Sequence, residues 1–231
     1  MVSIIFASLA PSIALLCFFY LKDQYNSEPI GMVFRSFVIG ALLVFPVIVL
    51  QYAFQEEGKL LSPLSQAYIS AGLFEEFFKW FVLFYTAYRH VEFNQHYDGI
   101  IYGVAVSLGF AAMENVFYLV AYGVDQAFIR ALLPVSSHAL FGVIMGYYLG
   151  KAKFSLKEKK VKLLFLSLII PWLLHGTYDY ILSVQSNWIY FMLPFMVFLW
   201  WLALRKVKLA NSKFFINKFS QDSVKKIYDN G

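Results

Sequence analysis

Seven apolar runs, at about 3–21, 33–54, 64–88, 99–122, 127–149, 163–184 and 188–204, follow one another along this chain with short polar links between them. A hydrocarbon core about 30 Å thick is crossed by roughly 20 apolar residues in a helix, and only helices or closed barrels satisfy every backbone amide there. The runs therefore predict an all-α fold, a polytopic transmembrane helical bundle of about seven spans with the lipid bilayer as its main solvent. The chain is 60% hydrophobic and only 14% charged, against about a quarter charged in soluble domains. No linker or repeat divides it, so one membrane domain is expected over 1–206, followed by a basic tail over 207–231. The first run lacks a basic leader and a cleavage pattern, and is expected to remain as a span. The single cysteine, Cys17, cannot form an intrachain disulfide and is expected to be a packing residue.

Orientation follows from the basic residues, which gather on the cytoplasmic side of membrane proteins. The link KAKFSLKEKKVK carries six lysines, and the stretch after Trp201 carries seven basic residues. Placing both in the cytoplasm puts the amino terminus outside. Sixteen of the 19 basic residues then lie inside, only Lys59 and Arg130 lie outside, and Lys79 is left within a span. The tail reads as a topology anchor, with no nucleic-acid partner.

The third run, LSQAYISAGLFEEFFKWFVLFYTAY, places Glu75, Glu76 and Lys79 near its middle. A charge at a helix centre costs about 3 kcal/mol on insertion scales, so these groups must face a polar cavity or one another. At about 100° per residue they share one wedge of the helix, with Gly72 in the same wedge where a second backbone can approach. The fourth run adds Glu114 and Asn115, and has small residues at Gly99, Gly103 and Ser107. The fifth adds His138, followed at the same interval by Gly142, Gly146 and Gly150. The sixth carries His175 and Asp179 one turn apart, on one face. Counted from the outer ends of their runs, Glu75, Glu76, Glu114, His138 and His175 fall within a slab about 6 Å thick. Helices running in opposite directions have no reason to align polar groups by accident, so these residues predict one site. Asn115 reads as packing glue, and Asp98 as a cap for the fourth helix.

Paired carboxylates beside a lysine and histidines in low dielectric suit general acid–base chemistry. Either Glu75 or Glu76 can remove a proton from water attacking a peptide carbonyl. His175 can stabilise the oxyanion, and His138 can position the water or protonate the leaving amine. Ser136 and Ser137 point away from His138 and make no nucleophile pair. A zinc peptidase with Glu114, His138 and His175 as ligands is the alternative, although no HExxH motif is present. The reading of a different class is a proton- or ion-coupled transporter, in which buried ionisable groups relay charge; no paired halves or broken helices accompany them.

The motifs EEFFK (Glu75 to Lys79), FAAME (Phe110 to Glu114), His138 in SSHALFG and HGTYD (His175 to Asp179) resemble the four-motif pattern of the CAAX-protease and bacteriocin-processing superfamily. The segments YLKDQYNSEP, DGIIYG and LLPVSSHALFGVIMGYYLGKA resemble the PrsW proteases within it, and the likeness runs over about residues 1–206. The superfamily's first motif ends in arginine one residue later than Lys79, and its second ends in histidine where this chain has Glu114. The resemblance implies an intramembrane endopeptidase of the glutamate type in the bacterial cell membrane. It implies Glu75 as base with Glu76 and Lys79 orienting it; the doubled glutamate and the absence of HExxH lead to the expectation of no metal or small-molecule cofactor. The implied substrate partner is a single-pass anti-sigma factor, cut first on its extracytoplasmic side so that a sigma factor is later released in a stress response.

Overall fold

A computed structural model describes residues 2–24, 27–184 and 186–229, with side chains beyond Ser212 left out. Its elements are α1 (Val2–Leu21), α2 (Ile30–Glu56), a composite α3, α4 (Asp98–Tyr122), a composite α5, α6 (Lys157–Val184) and α7 (Trp188–Asp229). In α3, α-helical Pro63–Ser65 and Phe74–Leu83 alternate with wider π-helical turns at Gln66–Leu73 and Phe84–Tyr88. In α5, Ala127–Arg130 passes through a π-helical turn at Ala131–Val135 into Ser136–Lys153. Pro134 lies inside that turn and has no N–H to give to the helical ladder.

The seven runs thus become seven helical elements among the described residues, and six of them are long and apolar enough to cross a membrane. The exception is α3, which has the length but concentrates three charges within five residues and is interrupted by its π turns. It starts at a well-formed cap: Ser62 Oγ accepts from Ser65 N at 3.1 Å and Pro63 takes the first helical position. The boundary expected at residue 206 falls inside α7, which continues without a break in its helical backbone to Asp229; residues 230 and 231 lie outside the described residues.

At the centre α4 packs along α5, the two most deeply buried helices. Their small residues are the reason. A methyl carbon on Gly146 would stand 1.9 Å from Gly99 O, and one on Gly103 would stand 2.5 Å from Gly142 O. The backbones meet where side chains are missing, which maximises dispersion contact in a solvent that gives helices no hydrophobic drive to associate. Around this pair lie α1, α2, α3, α6 and α7. The outward faces carry Phe6, Phe34, Val49, Phe165 and Val197, all exposed. In water such a surface would aggregate; in lipid it is solvated.

Between α3 and α6 the contact is specific. Gly72 lies under Gly176 N, so the open position in the charged wedge admits a neighbouring helix. Trp172 Nε1 donates to Tyr68 O at 2.5 Å and Trp80 Nε1 to Ser167 Oγ at 2.7 Å.

Two sequence expectations are corrected. Asp98 does not cap α4: its Oδ2 accepts from Asn94 N and Gln95 N, both at 2.6 Å, and so it closes the turn before the helix. Cys17 does not pack in the core; it is exposed on α1, because the face of α1 that meets the bundle carries Phe19 instead. At the same end of the bundle as Asp98, Glu28 is buried in the link between α1 and α2, where its carboxylate accepts from the Tyr102 hydroxyl. Burial raises the pKa of Glu28 above the usual carboxylate value.

Candidate active site

The π-helical stretch of α3 ends where Glu75 and Glu76 begin. Its wide turns leave backbone oxygens pointing to both sides, and neighbours hold them: Trp172 of α6 on Tyr68 O, and Gln51 of α2 on Ser70 O at 3.0 Å. Such turns recur at functional sites because they re-aim the side chains that follow. Here they bring Glu75, Glu76 and Lys79 to face α4, α5 and α6.

Lys79 is fully buried, and its Nζ has an acceptor for each of its three hydrogens: Glu76 Oε1 at 2.9 Å, His138 Nδ1 at 3.1 Å and Glu75 Oε2 at 3.2 Å. The Phe110 ring lies 4.1 Å from the ammonium and adds a cation–π contact. Because His138 Nδ1 accepts from Lys79, the ring carries its hydrogen on Nε2 and donates it to Glu114 Oε2 at 3.1 Å. Glu114 also meets Arg130 at 3.7 Å, and Arg130 is held in turn by Asn115 Oδ1 at 2.7 Å and by the Tyr118 ring at 4.0 Å.

On the other side, His175 Nδ1 meets Glu76 Oε1 at 2.9 Å, while His175 Nε2 faces Asp179 Oδ2 at 3.2 Å and Glu75 Oε2 at 3.9 Å. Phe141 stacks on the His175 ring at 5.0 Å. Glu76 Oε1 thus binds both Lys79 and His175, while its Oε2 is buried without a hydrogen-bond partner among the described residues. Glu75 is held less tightly: its Oε1 has only the long 3.4 Å contact with Gln51 Nε2. All seven residues singled out in the sequence, Glu75, Glu76, Lys79, Glu114, His138, His175 and Asp179, therefore join one connected cluster. Ser136 and Ser137 are occupied with backbone oxygens of the preceding turn, Ser137 Oγ donating to Pro134 O at 2.9 Å.

Two clefts reach this cluster. One of about 380 Å³ lies between α2 and α3 and is lined by Gln51, Gln55, Lys59, Gln66, Ser70 and Glu75. The other, of about 310 Å³, lies between α2 and α4 and is lined by Val44, Ile48, Gln51, Glu75, Glu114 and Phe117 among others. Glu75 opens into both, whereas Glu76 is 0% exposed. Sequence reasoning passed over Gln51, an uncharged residue near the end of an apolar run, and sorted Arg130 with the topology signals. The second had a trace in the sequence: Arg130 is one of only two basic residues on its side.

The residues able to share a metal ion are Glu75, His138 and His175, whose ligand atoms lie within 4.8 Å of one another. Two imidazoles and a carboxylate form a donor set used by catalytic zinc, so the chemistry fits. Glu114, expected as the carboxylate of such a set, stands instead on the far nitrogen of His138. The same donors already receive positive charge from Lys79, which bonds two of the three.

Residues 28–203 match the family model described as PrsW family intramembrane metalloprotease. Similar proteins include Protease PrsW of Bacillus subtilis (strain 168), 58% identical over 92% of this chain and 97% of that protein. Protease PrsW of Halalkalibacterium halodurans is 60% identical over 91% of this chain and 98% of its own length. The protein of the same name from Clostridioides difficile (strain 630) is 34% identical over 81% of this chain and 82% of its own. No solved structure matches the chain. A match over most of the chain, together with relatives covered nearly end to end, gives the conclusion that this multi-pass membrane protein belongs to the PrsW protease family.

Proposed function

We propose that the protein is an intramembrane endopeptidase in which Glu75 acts as general base without a metal ion, and that it makes the first, extracytoplasmic cut in a single-pass anti-sigma factor. The observation that carries this reading is the asymmetry of the paired carboxylates. Glu76 is locked by Lys79 and His175, and Glu75 opens to both clefts beside them.

In this mechanism Glu75 takes a proton from water as the water oxygen attacks the scissile carbonyl carbon. The negative charge forming on the carbonyl oxygen is met by the N–H of His175 Nε2; the ring is oriented through Nδ1 by Glu76, and Asp179, 3.2 Å from Nε2, faces it without taking that hydrogen. The space between His175 Nε2 and Glu75 Oε2, 3.9 Å apart, is where a reacting group can approach both. When the C–N bond breaks, Glu75 returns its proton to the leaving amine. Lys79 offsets one of the two negative charges of the pair, and His138 with Glu114 holds Lys79 in place. Both nitrogens of His138 are engaged, which makes it a positioning residue.

The second reading is a metallopeptidase, supported by the grouping of Glu75, His138 and His175 and by the description of the family as metalloproteases. An ion on those residues would supply Lewis acidity and a bound water of lowered pKa. The distribution of basic residues supports an external amino terminus and a cytoplasmic carboxy terminus. With that orientation the site opens toward the outer links, on the side where an anti-sigma factor would be cut first. The test is co-expression with candidate single-pass anti-sigma factors, followed by immunoblotting for an extracytoplasmic cut that wild type makes and Glu75→Gln does not. Equal cutting by both would remove the general-base role.

A further inference from the structure

Gln51 belongs to none of the motifs, yet among the described residues only it and Glu75 line both clefts. The walls of the two clefts differ in kind. Between α2 and α3 stand Gln55, Lys59, Gln66 and Ser70, a polar lining suited to water. Between α2 and α4 stand Val44, Ile48, Phe117 and Tyr118, a lining that favours apolar side chains. The Gln51 amide sits where they meet. Its Nε2 carries two hydrogens, one anchored firmly on Ser70 O at 3.0 Å and one reaching Glu75 Oε1 at 3.4 Å. The firm bond fixes the amide to the π-helical turn of α3. The long one leaves the carboxylate oriented but free to exchange that partner for water.

We propose that Gln51 is a positioning residue for hydrolysis, holding Glu75 at the junction where water from the α2–α3 cleft meets an apolar stretch of substrate chain seated in the α2–α4 cleft. The inference rests on the peptidase reading above and adds to it a route for each reactant. The divided routes have a kinetic consequence. Crowding the water side slows turnover, and crowding the peptide side weakens substrate binding.

The test uses the full chain purified in detergent and a panel of single-pass membrane reporters whose membrane-proximal segments carry alanine, leucine or phenylalanine. Gln51→Met keeps the length and bulk of the side chain and removes both hydrogens. It is expected to lower kcat about tenfold, the effect of one hydrogen bond to a charged group, with KM changed by less than about twofold. Ala71→Leu, in the α2–α3 cleft, is expected to lower kcat alone, and Ala121→Phe, in the α2–α4 cleft, to raise KM, most for the phenylalanine reporter. Full kcat in Gln51→Met overturns the positioning role. Equal effects of the two cleft substitutions on the same parameter overturn the divided routes. Failure of the wild-type enzyme to cut any reporter is a different result, and it overturns the peptidase reading itself.

Discussion

Replacing the two adjacent glutamates one at a time by glutamine separates a catalytic group from a structural one. Glu75→Gln preserves shape and leaves an oxygen for Lys79, but an amide cannot take up the proton of the attacking water. General-base catalysis typically supplies about 10²–10⁴-fold, or roughly 3–5 kcal/mol of barrier, so cleavage should fall by that factor. The folded protein should be little affected, since Glu75 has one close ionic contact, with Lys79 at 3.2 Å, and only a long 3.4 Å contact with Gln51 at its other oxygen. Glu76→Gln does the opposite. Its Oε1 receives Lys79 and His175, each at 2.9 Å, in a site with no exposure. Removing its charge unbalances two buried partners, and breaking a buried ion pair costs about 3–5 kcal/mol. That is a large share of a stability of about 5–15 kcal/mol, so the amount in the membrane should drop. The assay measures both quantities in each variant: cleavage per unit of membrane protein, and thermal aggregation in detergent. Full specific activity in Glu75→Gln, with Glu76→Gln inactive at normal abundance and stability, would refute the assignment and make Glu76 the base.

Three further outcomes are expected. A topology reporter fused after Lys160 should read cytoplasmic and one fused after Ser186 external; the same side for both would break the orientation drawn from the basic residues. Gly146→Ala puts a methyl group 1.9 Å from Gly99 O, backbone that cannot step aside, and should destabilise by about 1–3 kcal/mol, seen as a lower melting temperature in detergent. Glu28 has a raised pKa in the fold, so the native state binds more protons than the unfolded chain, and the stability contributed by its neutral form is lost as pH rises from the unfolded value through the folded one. Glu28→Gln should therefore flatten that dependence and gain in melting temperature over wild type as pH increases, and a constant difference across pH would contradict it.

The helices were legible because lipid leaves so few alternatives: each run long enough to cross the membrane became a helix, and α3 followed even with its three charges. The clustering of the ionisable residues was legible for a related reason. Ionisable groups are too costly in lipid to be scattered, so Glu75, Glu114, His138 and His175 at one depth on different helices had to meet, and they do through Lys79 and Glu76. Family membership then favours the peptidase over the transporter. What the sequence hid was partnership. Depth counts could not tell that Glu75, rather than Glu114, groups with both histidines, because that depends on helix rotation, and the rotation of α3 is set by π turns with no sequence pattern. Gln51 was invisible because a neutral amide in an apolar run breaks no rule. Asp98 was misassigned because a residue at a helix start can hydrogen-bond backward into the preceding turn as readily as forward.

In the proposed mechanism the chain's own carboxylate, Glu75, paired with Lys79, activates the water for hydrolysis. The most direct measurement is cleavage of a single-pass membrane reporter by the purified full chain in lipid vesicles, after stripping with a strong chelator and with the metal content determined. The stripped wild-type protein is expected to cut at its original rate while Glu75→Gln does not. Activity that disappears on stripping and returns with zinc alone would contradict it, and would make Glu75, His138 and His175 metal ligands.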